Sequence, residues 1–252
     1  MIGRRAVLLG AGAGFLTACA AGAKRRVAVP TTTLAPTATT TTTTTTTGVP
    51  SGPATYVAAG PATSTGVALT FHTAGDAAIT QSLLDQAAQL DARLTFFIVG
   101  QWAAANPGIV AAILAGGHEL GNHTWSHIDL PALPIDEMHS EIRRCADVLR
   151  AETGSISKWF RPSQTDVPSE AILVQAGLVG YPTSLGYDID PLDYTDPGAA
   201  VVESRVGAKL HGGAIVSLHT LYEGTATAFG PIIAKIRATG LEPVTASAIF
   251  AS

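Results

Sequence analysis

The amino-acid sequence predicts an α/β fold in which about seven parallel strands alternate with helices, closed into a barrel or spread as an open, doubly wound sheet. From about residue 57 onward, short apolar segments of strand length alternate with segments of helical periodicity. The 252-residue chain is 46% hydrophobic, so it can bury a sizeable core. Strands that alternate with helices pair in parallel, because a parallel pair needs a long crossover connection.

The first 19 residues predict a lipoprotein-type export signal. Arg4 and Arg5 precede an apolar run that is too short to stay in a bilayer as a spanning helix, and the arginine pair suggests the twin-arginine export route. The run ends in "LTAC", which resembles the lipobox of bacterial lipoproteins and makes Cys19 the lipidated residue. An ordinary signal peptide with a chance cysteine is the alternative. We expect an exported protein, lipid-anchored to the outer face of the cell membrane.

Residues 20–56 predict a disordered linker. Threonine, proline and alanine dominate this segment, and few of its side chains are large enough to offset the entropy of ordering the backbone. The predicted globular domain therefore covers residues 57–252.

The elements of the globular domain follow from local patterns. Residues 66–71 (GVALTF) and 93–100 (RLTFFIVG) are apolar enough for buried strands, and the spacing of apolar residues predicts a helix over 78–90 between them. Pro107 opens a helix that glycines close at residue 117. The alternation continues with helices over 134–154 and 169–178, a strand over 158–162, and the segments 181–188, 197–210, 213–220, 227–240 and 242–251.

Charge and motifs exclude several functions. The formal net charge of −4 comes without a basic stripe, so no nucleic acid is expected as a partner. No glycine-rich phosphate-binding motif follows the first strand, which argues against nucleotide binding. Cys145 is the only cysteine besides Cys19, so no disulfide is expected within the domain.

Polar residues at the predicted strand ends mark the candidate site, because functional residues of parallel α/β folds lie at the carboxyl ends of strands. These residues are His72, Arg161, Asp188, Asp190 and His219.

The segment "HTWSH" adds two candidate metal ligands. His123 and His127 are four residues apart, so on a helix or tight turn both rings face the same side and can reach one ion. Such a pair alone is a weak signal, and the strand-end residues strengthen it. A metal-activated water together with a separate acid such as His219 would suit a hydrolase.

At these motifs the sequence resembles the metal-dependent polysaccharide deacetylases, the NodB-homology family, over nearly the whole globular part. "HTWSH" resembles the motif that supplies two metal histidines, and "FRPS" (160–163) resembles the one whose arginine holds the catalytic base. "YDIDPLDY" (187–194) and "IVSLHT" (215–220) resemble the last two motifs. The resemblance implies a distorted (β/α) barrel that binds a divalent metal, zinc first with cobalt or nickel as alternatives.

The resemblance also implies roles for single residues. His219 is the general acid, and Asp190 orients it, with Asp193 as the alternative. A buried arginine without a carboxylate is costly, so Asp76, Asp166 or Asp190 is expected beside Arg161. The expected substrate-binding residues are Leu218, which lines the acetyl pocket, and Tyr187 and Trp125, which stack on a sugar ring.

The first motif departs from the family pattern. Where the family has the base aspartate followed by a metal aspartate, the chain has His72 and Thr73. A metal held by His123 and His127 alone binds weakly, since catalytic zinc sites use three protein ligands and a water. We expect the third ligand to be Asp76 or His72, and the other role open to His72 is that of the catalytic base.

Three functions remain as alternatives. The leading one is a lipid-anchored, metal-dependent hydrolase, acting as a monomer, that removes N-acetyl or O-acetyl groups from peptidoglycan or from a chitin-like or xylan-like glycan. The second is a degenerate member that binds glycan or metal without turnover, which the replacements at residues 72 and 73 favour. The third is an amidohydrolase of the same fold that acts on a non-sugar amide.

Overall fold

The computed structural model describes residues 52–251. The predicted export signal, Cys19 and most of the predicted linker lie outside these residues. Within them, we find no helix that combines the length and the apolar character needed to cross a membrane.

One parallel sheet of eight strands forms the centre of the described domain. The strands are β1 (Thr55–Val57), β2 (Gly66–His72), β3 (Thr95–Ile98), β4 (Glu119–Asn122), β5 (Trp159–Phe160), β6 (Thr183–Leu185), β7 (Ile215–His219) and β8 (Glu242–Val244). They are ordered β1-β6-β5-β4-β3-β2-β7, and β8 pairs with β2. Beyond β6, Ile189 bridges Val216 of β7, so the sheet closes on itself. The predicted distorted (β/α) barrel is confirmed.

Helices connect the strands and cover the outside of the barrel. They are α1 (Ala77–Gln89), α2 (Gly100–Ala105), α3 (Ile109–Ala115), α4 (Ile135–Thr153), α5 (Glu170–Val179), α6 (Ala199–Gly207), α7 (Glu223–Ala238) and α8 (Ala246–Ile249). Helix α1 begins where the Asp76 carboxylate accepts the Ala78 N–H at 2.9 Å. Helix α4 ends at Gly154, whose φ of 79° is left-handed and suits a residue without Cβ.

Alternation along β2 separates the core from the site. Leu69 and Phe71 point into the helix-covered core, where the Phe71 and Phe96 rings stack with 5.5 Å between their centroids. Thr70 and His72 point to the inside of the barrel, where both contact the guanidinium of an arginine described below. The strand thus presents a packing face and a polar face, and the polar face forms part of the site.

Two boundaries differ from the prediction. The fold begins before residue 57, because Ala54 is buried, donates its N–H to Leu173 O at 2.8 Å, and leads into β1. Pairing of β1 with β6 raises the strand count above the predicted seven. The segment over 242–251 divides into β8 and α8, separated by Thr245.

Candidate functional site

A cavity of about 460 Å³ lies at the carboxyl ends of the barrel strands. His72 ends β2, His219 ends β7, and Arg161 directly follows β5, so the parallel topology brings all three to one place. The turn after β4 adds His123 and His127. The cavity wall also includes three tyrosines, two carboxylates and a serine: Tyr187, Tyr194, Tyr222, Asp166, Asp190 and Ser217.

The turn that carries HTWSH is held by side chains of β4 and α4. Asn122 Oδ1 accepts the Thr124 N–H at 2.9 Å, and the Glu141 carboxylate accepts the Ser126 N–H at 2.8 Å. Thr124 and His127 have φ angles of 65° and 57°, in the left-handed region that residues other than glycine rarely adopt. Such backbone strain persists only where the surroundings determine it, so the position of these histidines is set by the fold.

Arg161 forms the floor of the cavity and is 2% exposed. Its Nε donates to Leu185 O at 2.7 Å, its Nη2 to Gly186 O at 2.7 Å, and its Nη1 to Thr70 Oγ1 at 2.9 Å. Its Cζ lies 4.0 Å from the centroid of the Phe97 ring. Backbone carbonyls and an aromatic ring therefore surround a cation that lies at the centre of the barrel.

None of the carboxylates expected near Arg161 pairs with its guanidinium, although Asp166 and Asp190 line the same cavity. Asp76, Asp166 and Asp190 form neither an ion pair nor a hydrogen bond with its guanidinium. The carbonyls at the end of β6 take the place of the carboxylate. Because burial disfavours a cation that no anion neutralises, it lowers the pKa of Arg161 to about 9.

His72 and His219 form a hydrogen-bonded series that ends on a carboxylate. Arg161 Nη1 lies 2.9 Å from His72 Nε2, His72 Nδ1 lies 3.0 Å from His219 Nε2, and His219 Nδ1 lies 2.7 Å from Asp193 Oδ1. Burial, with smaller contributions from the neighbouring histidines and Arg161, holds the pKa of His72 well below its usual value, so this ring is neutral.

His123 and His127 are less completely paired. His123 Nδ1 lies 2.9 Å from Arg161 O, and a carbonyl only accepts, so Nδ1 carries the proton. Burial holds the pKa of His123 well below its usual value, which leaves Nε2 as a bare lone pair, buried and without a partner. Burial also lowers the pKa of His127, whose Nδ1 is 3.4 Å from Gln164 Nε2. The Gln164 contact is long and exposed, so it holds the His127 lone pair far less firmly than the buried contacts hold those of the histidines at the ends of β2 and β7. His123 and His127 are therefore the available ligands of the cluster.

The donor set does not fit a three-ligand metal site. A neutral imidazole offers one lone pair to a metal. Arg161 only donates, so His72 Nε2 must accept from it, and His72 Nδ1 then donates to His219 Nε2. The lone pairs of both rings are therefore engaged. In residues 52–251, no three His, Cys, Asp or Glu side chains are grouped as a metal ion requires. His123 and His127 remain, one ligand short of a catalytic zinc site.

Asp76 lies apart from the histidines. Its carboxylate is exposed, accepts the Ala78 N–H at the start of α1, and is not part of the cavity wall. The placement argues against the predicted role as third ligand. Helix capping explains the residue, because an aspartate before a helix satisfies one of the N–H groups that the first turn leaves unpaired.

Asp193, the alternative to Asp190, orients His219. Asp193 Oδ2 accepts the His219 N–H at 2.8 Å and the Thr225 hydroxyl at 2.7 Å, while Oδ1 faces the imidazole. Asp190 instead accepts the Leu192 N–H at 2.7 Å and faces the cavity. The assignment to Asp190 is therefore corrected to Asp193, since the short helical turn Asp193–Thr195 points that carboxylate at β7.

The three predicted substrate-binding residues have different positions. Tyr187 lies in the cavity wall, and its hydroxyl donates to Asp166 Oδ1. Leu218 is buried in the helix-covered core, because alternation along β7 turns it away from the cavity and turns Ser217 towards it. Trp125 lies outside the cavity wall, with Arg144 Cζ 4.3 Å from its ring centroid. The roles given to Leu218 and Trp125 are not supported by these positions.

Several residues of the site were missed by sequence reasoning. Thr70 is buried and contacts Arg161, while Ser217 of β7 and Tyr194 of the segment after β6 line the cavity. The period-two pattern would have indicated Thr70 and Ser217, which lie two residues before His72 and His219 and therefore on the same face.

Comparison with known proteins agrees with this architecture. A family model described as polysaccharide deacetylase matches residues 59–181. The peptidoglycan-N-acetylglucosamine deacetylase of Listeria monocytogenes is 28% identical over 184 residues, or 73% of this chain, which spans 38% of the length of that relative.

The similar solved structures include one of a deacetylase and one of a pseudoenzyme. The Bc1960 peptidoglycan N-acetylglucosamine deacetylase superposes with a TM-score of 0.74 at 27% identity, covering 79% of this chain and 94% of that one. A variant of a family 4 carbohydrate esterase pseudoenzyme of Bacillus anthracis superposes with a TM-score of 0.72 at 25% identity, covering 78% of this chain and 71% of that one.

Proposed function

We propose that this chain, which belongs to the polysaccharide deacetylase family, binds a cell-wall polysaccharide in its cavity and acts by recognition rather than by hydrolysis. The carrying observation is the histidine cluster, in which two of the four rings have their lone pairs engaged within the protein. The similarity to a peptidoglycan deacetylase supports the choice of glycan, and the similarity to a pseudoenzyme supports the loss of turnover.

The cavity wall suits a sugar. Tyr187 and Tyr194 combine an apolar ring with a polar tip, which is the surface that stacks on a sugar face, and Tyr194 is 47% exposed. Asp166, Asp190 and Gln164 supply acceptors and donors for hydroxyl groups. The volume of about 460 Å³ is within the range of small-molecule sites.

Metal-dependent hydrolysis of an acetyl group is the second candidate. The unpartnered, buried Nε2 of His123 favours it, because such an atom is suited to a metal or to a hydrogen-bond donor. His123 and His127 would hold the ion, zinc in the first place, and a Lewis acid there would supply an activated water. The general-acid role of His219 belongs to this candidate.

Measuring both peptidoglycan binding and acetate release with the mature chain distinguishes the two candidates. We expect sedimentation with purified peptidoglycan and no acetate release when equimolar Zn²⁺ or Co²⁺ is added. Tyr187→Ala should weaken binding at least tenfold, since stacking on a sugar is lost, and Trp125→Ala is the control that should bind normally. Acetate release that depends on the added metal would establish the hydrolase instead. Absence of binding and of release would reject both candidates.

We also propose that a lipid attached to Cys19 anchors the protein to the outer face of the cell membrane. The support is the signal and lipobox pattern, together with relatives named for acting on peptidoglycan. Cys19→Ser should move the protein from the membrane fraction to the medium. Cys145→Ser, which changes a buried thiol inside the domain, should leave it in the membrane fraction. Retention of the Cys19→Ser variant in the membrane would reject the anchor.

A further inference from the structure

We propose that His72 takes the place of a metal as the cross-link of this site, through a hydrogen-bonded relay that runs from Arg161 through His72 and His219 to Asp193. The relay makes the site preformed and metal-independent. It concerns how the site is held together, and so it goes beyond glycan binding.

The chemistry of the two ends fixes the direction of every bond. Arg161 only donates, so His72 Nε2 accepts at 2.9 Å, and the proton of the His72 ring must lie on Nδ1. That proton faces His219 Nε2 at 3.0 Å, which makes Nε2 the acceptor and puts the His219 proton on Nδ1. Asp193 Oδ1 then accepts at 2.7 Å. Only this arrangement of protons satisfies all three contacts.

Both ends of the relay are anchored in the barrel. Arg161 also donates to Leu185 O and Gly186 O at the end of β6. Asp193 also accepts the Thr225 hydroxyl in α7 and the backbone N–H of His219. The relay therefore ties β2 to β7 and to the segments that follow β5 and β6. A metal ion would otherwise join side chains from different strand ends in this way.

The relay competes directly with metal binding. If His72 Nε2 coordinated a metal, the Arg161 N–H group that it now accepts would lose its acceptor, and Arg161 is only 2% exposed. If His219 Nε2 coordinated a metal, the His72 N–H would lose its acceptor. Each loss leaves a polar group unsatisfied where water is scarce. The hydrogen bonds of these two rings are therefore complete only when neither ring coordinates a metal.

Nitrogen-15 NMR of histidine side chains tests the proposal without using any glycan. In chelator-treated mature protein, His72 and His219 should both carry a proton on Nδ1 and none on Nε2. Equimolar Zn²⁺ should coordinate neither ring, so both Nε2 atoms should keep the shift of an uncoordinated nitrogen. Protonation on Nε2 in either ring, or the shift of a zinc-coordinated nitrogen in His72 or His219, would overturn the proposal. Either result is independent of whether the cavity binds polysaccharide.

Three variants at position 72 separate the relay from simple packing. His72→Gln offers one acceptor and one donor, so it should preserve the Nδ1–H form of His219. His72→Glu as a carboxylate offers only acceptors, so its His219 ring should gain the Nε2–H form. His72→Leu offers neither, so its His219 ring should keep the proton on Nδ1, where Asp193 accepts it, and lose the partner of Nε2. His139→Gln, which changes a histidine bonded to Gln175 outside the cavity, is the control and should leave His219 unchanged. Equal behaviour of the Gln and Glu variants would reject the relay.

Discussion

His72 and His219 at the ends of β2 and β7 contrast with His123 and His127 in the turn after β4, although all four rings line one cavity. In the first pair, both nitrogens of each ring have a partner within 3.0 Å. In the second pair, His123 Nε2 is buried without a partner. The difference lies in the neighbours, since the first pair sits between an arginine and an aspartate whose hydrogen-bonding roles are fixed.

The contrast teaches that residue type alone does not define a metal site. A histidine serves as a ligand only when its lone pair is free, and that depends on groups distant in sequence. Arg161 is 89 residues from His72, and His219 is 147 residues from it. The strand-end histidines therefore act as structural cross-links, while the turn histidines keep the character of ligands.

The largest effect is expected from removing the donor end of the relay. Arg161→Leu leaves Leu185 O, Gly186 O and His72 Nε2 without their donor, at about 1–3 kcal/mol for each unsatisfied group. We expect the free energy of unfolding in urea to fall by about 3 kcal/mol or more. Arg144→Leu, on the surface beside Trp125, is the control and should cost less than about 1 kcal/mol. Similar losses in the two variants would contradict the assignment of Arg161.

The acceptor end gives the next effect. In Asp193→Asn, one side-chain oxygen still accepts the His219 N–H and the Thr225 hydroxyl, so the amide NH₂ turns to His219 Nδ1. His219 must then protonate on Nε2, opposite the N–H of His72. We expect a loss of about 1.5–3 kcal/mol, measured by urea unfolding, together with the change of protonated nitrogen in NMR. Asp196→Asn, at an exposed position, should change stability by less than about 0.5 kcal/mol. An unchanged His219 tautomer would be inconsistent with the relay.

The fold and the location of the site could be predicted because they depend on local signals. Apolar runs and helical spacing indicated alternating elements, and the rule for parallel sheets then placed His72, Arg161 and His219 at one end of the barrel. These conclusions need only the identity and order of the elements. Small errors at element boundaries, such as the missed β1, do not change them.

The pairing of individual side chains could not be predicted in the same way. Asp190 and Asp193 belong to one segment, "DIDPLD", and the choice between them depends on a helical turn and on Thr225 in a later helix. Leu218 was misplaced because it was assigned by resemblance, whereas strand alternation places it opposite His219. Long-range geometry decides such cases, and the pattern of a single segment does not contain it.

A third ligand added beside the turn histidines would sharpen the contrast. The resemblance puts the family's metal aspartate at Thr73, which lines the same cavity as His123 and His127. Thr73→Asp should therefore raise Zn²⁺ affinity at least tenfold in calorimetry, about 1.4 kcal/mol. Thr73→Asn has nearly the same shape without the charge and should give no such gain. Equal affinities of the aspartate and asparagine variants would show that the turn histidines are not positioned as ligands.

The last effect concerns acid stability, where His118 is a reference outside the cavity. Its Nδ1 accepts the Leu94 N–H at 3.2 Å, and burial, with a smaller contribution from Arg93, lowers its pKa from 6.5 to about 4. As the pH falls below 6.5 the unfolded chain takes up this proton first, so the stabilisation is complete above pH 6.5 and declines towards pH 4.

His118→Asn keeps an acceptor for Leu94 but removes the titration. Between pH 6.5 and 4, the free energy of unfolding in urea should therefore fall less steeply with decreasing pH in the variant. The difference in slope corresponds to at most one proton, about 1.4 kcal/mol per pH unit. His72 and His123 also have lowered pKa values, so the variant should keep part of the acid sensitivity of the wild type. Identical slopes would mean that His118 does not stay neutral in the folded protein. Complete loss of acid sensitivity would mean that His72 and His123 do not contribute to it. Burial would then not lower their pKa values as it lowers that of His118.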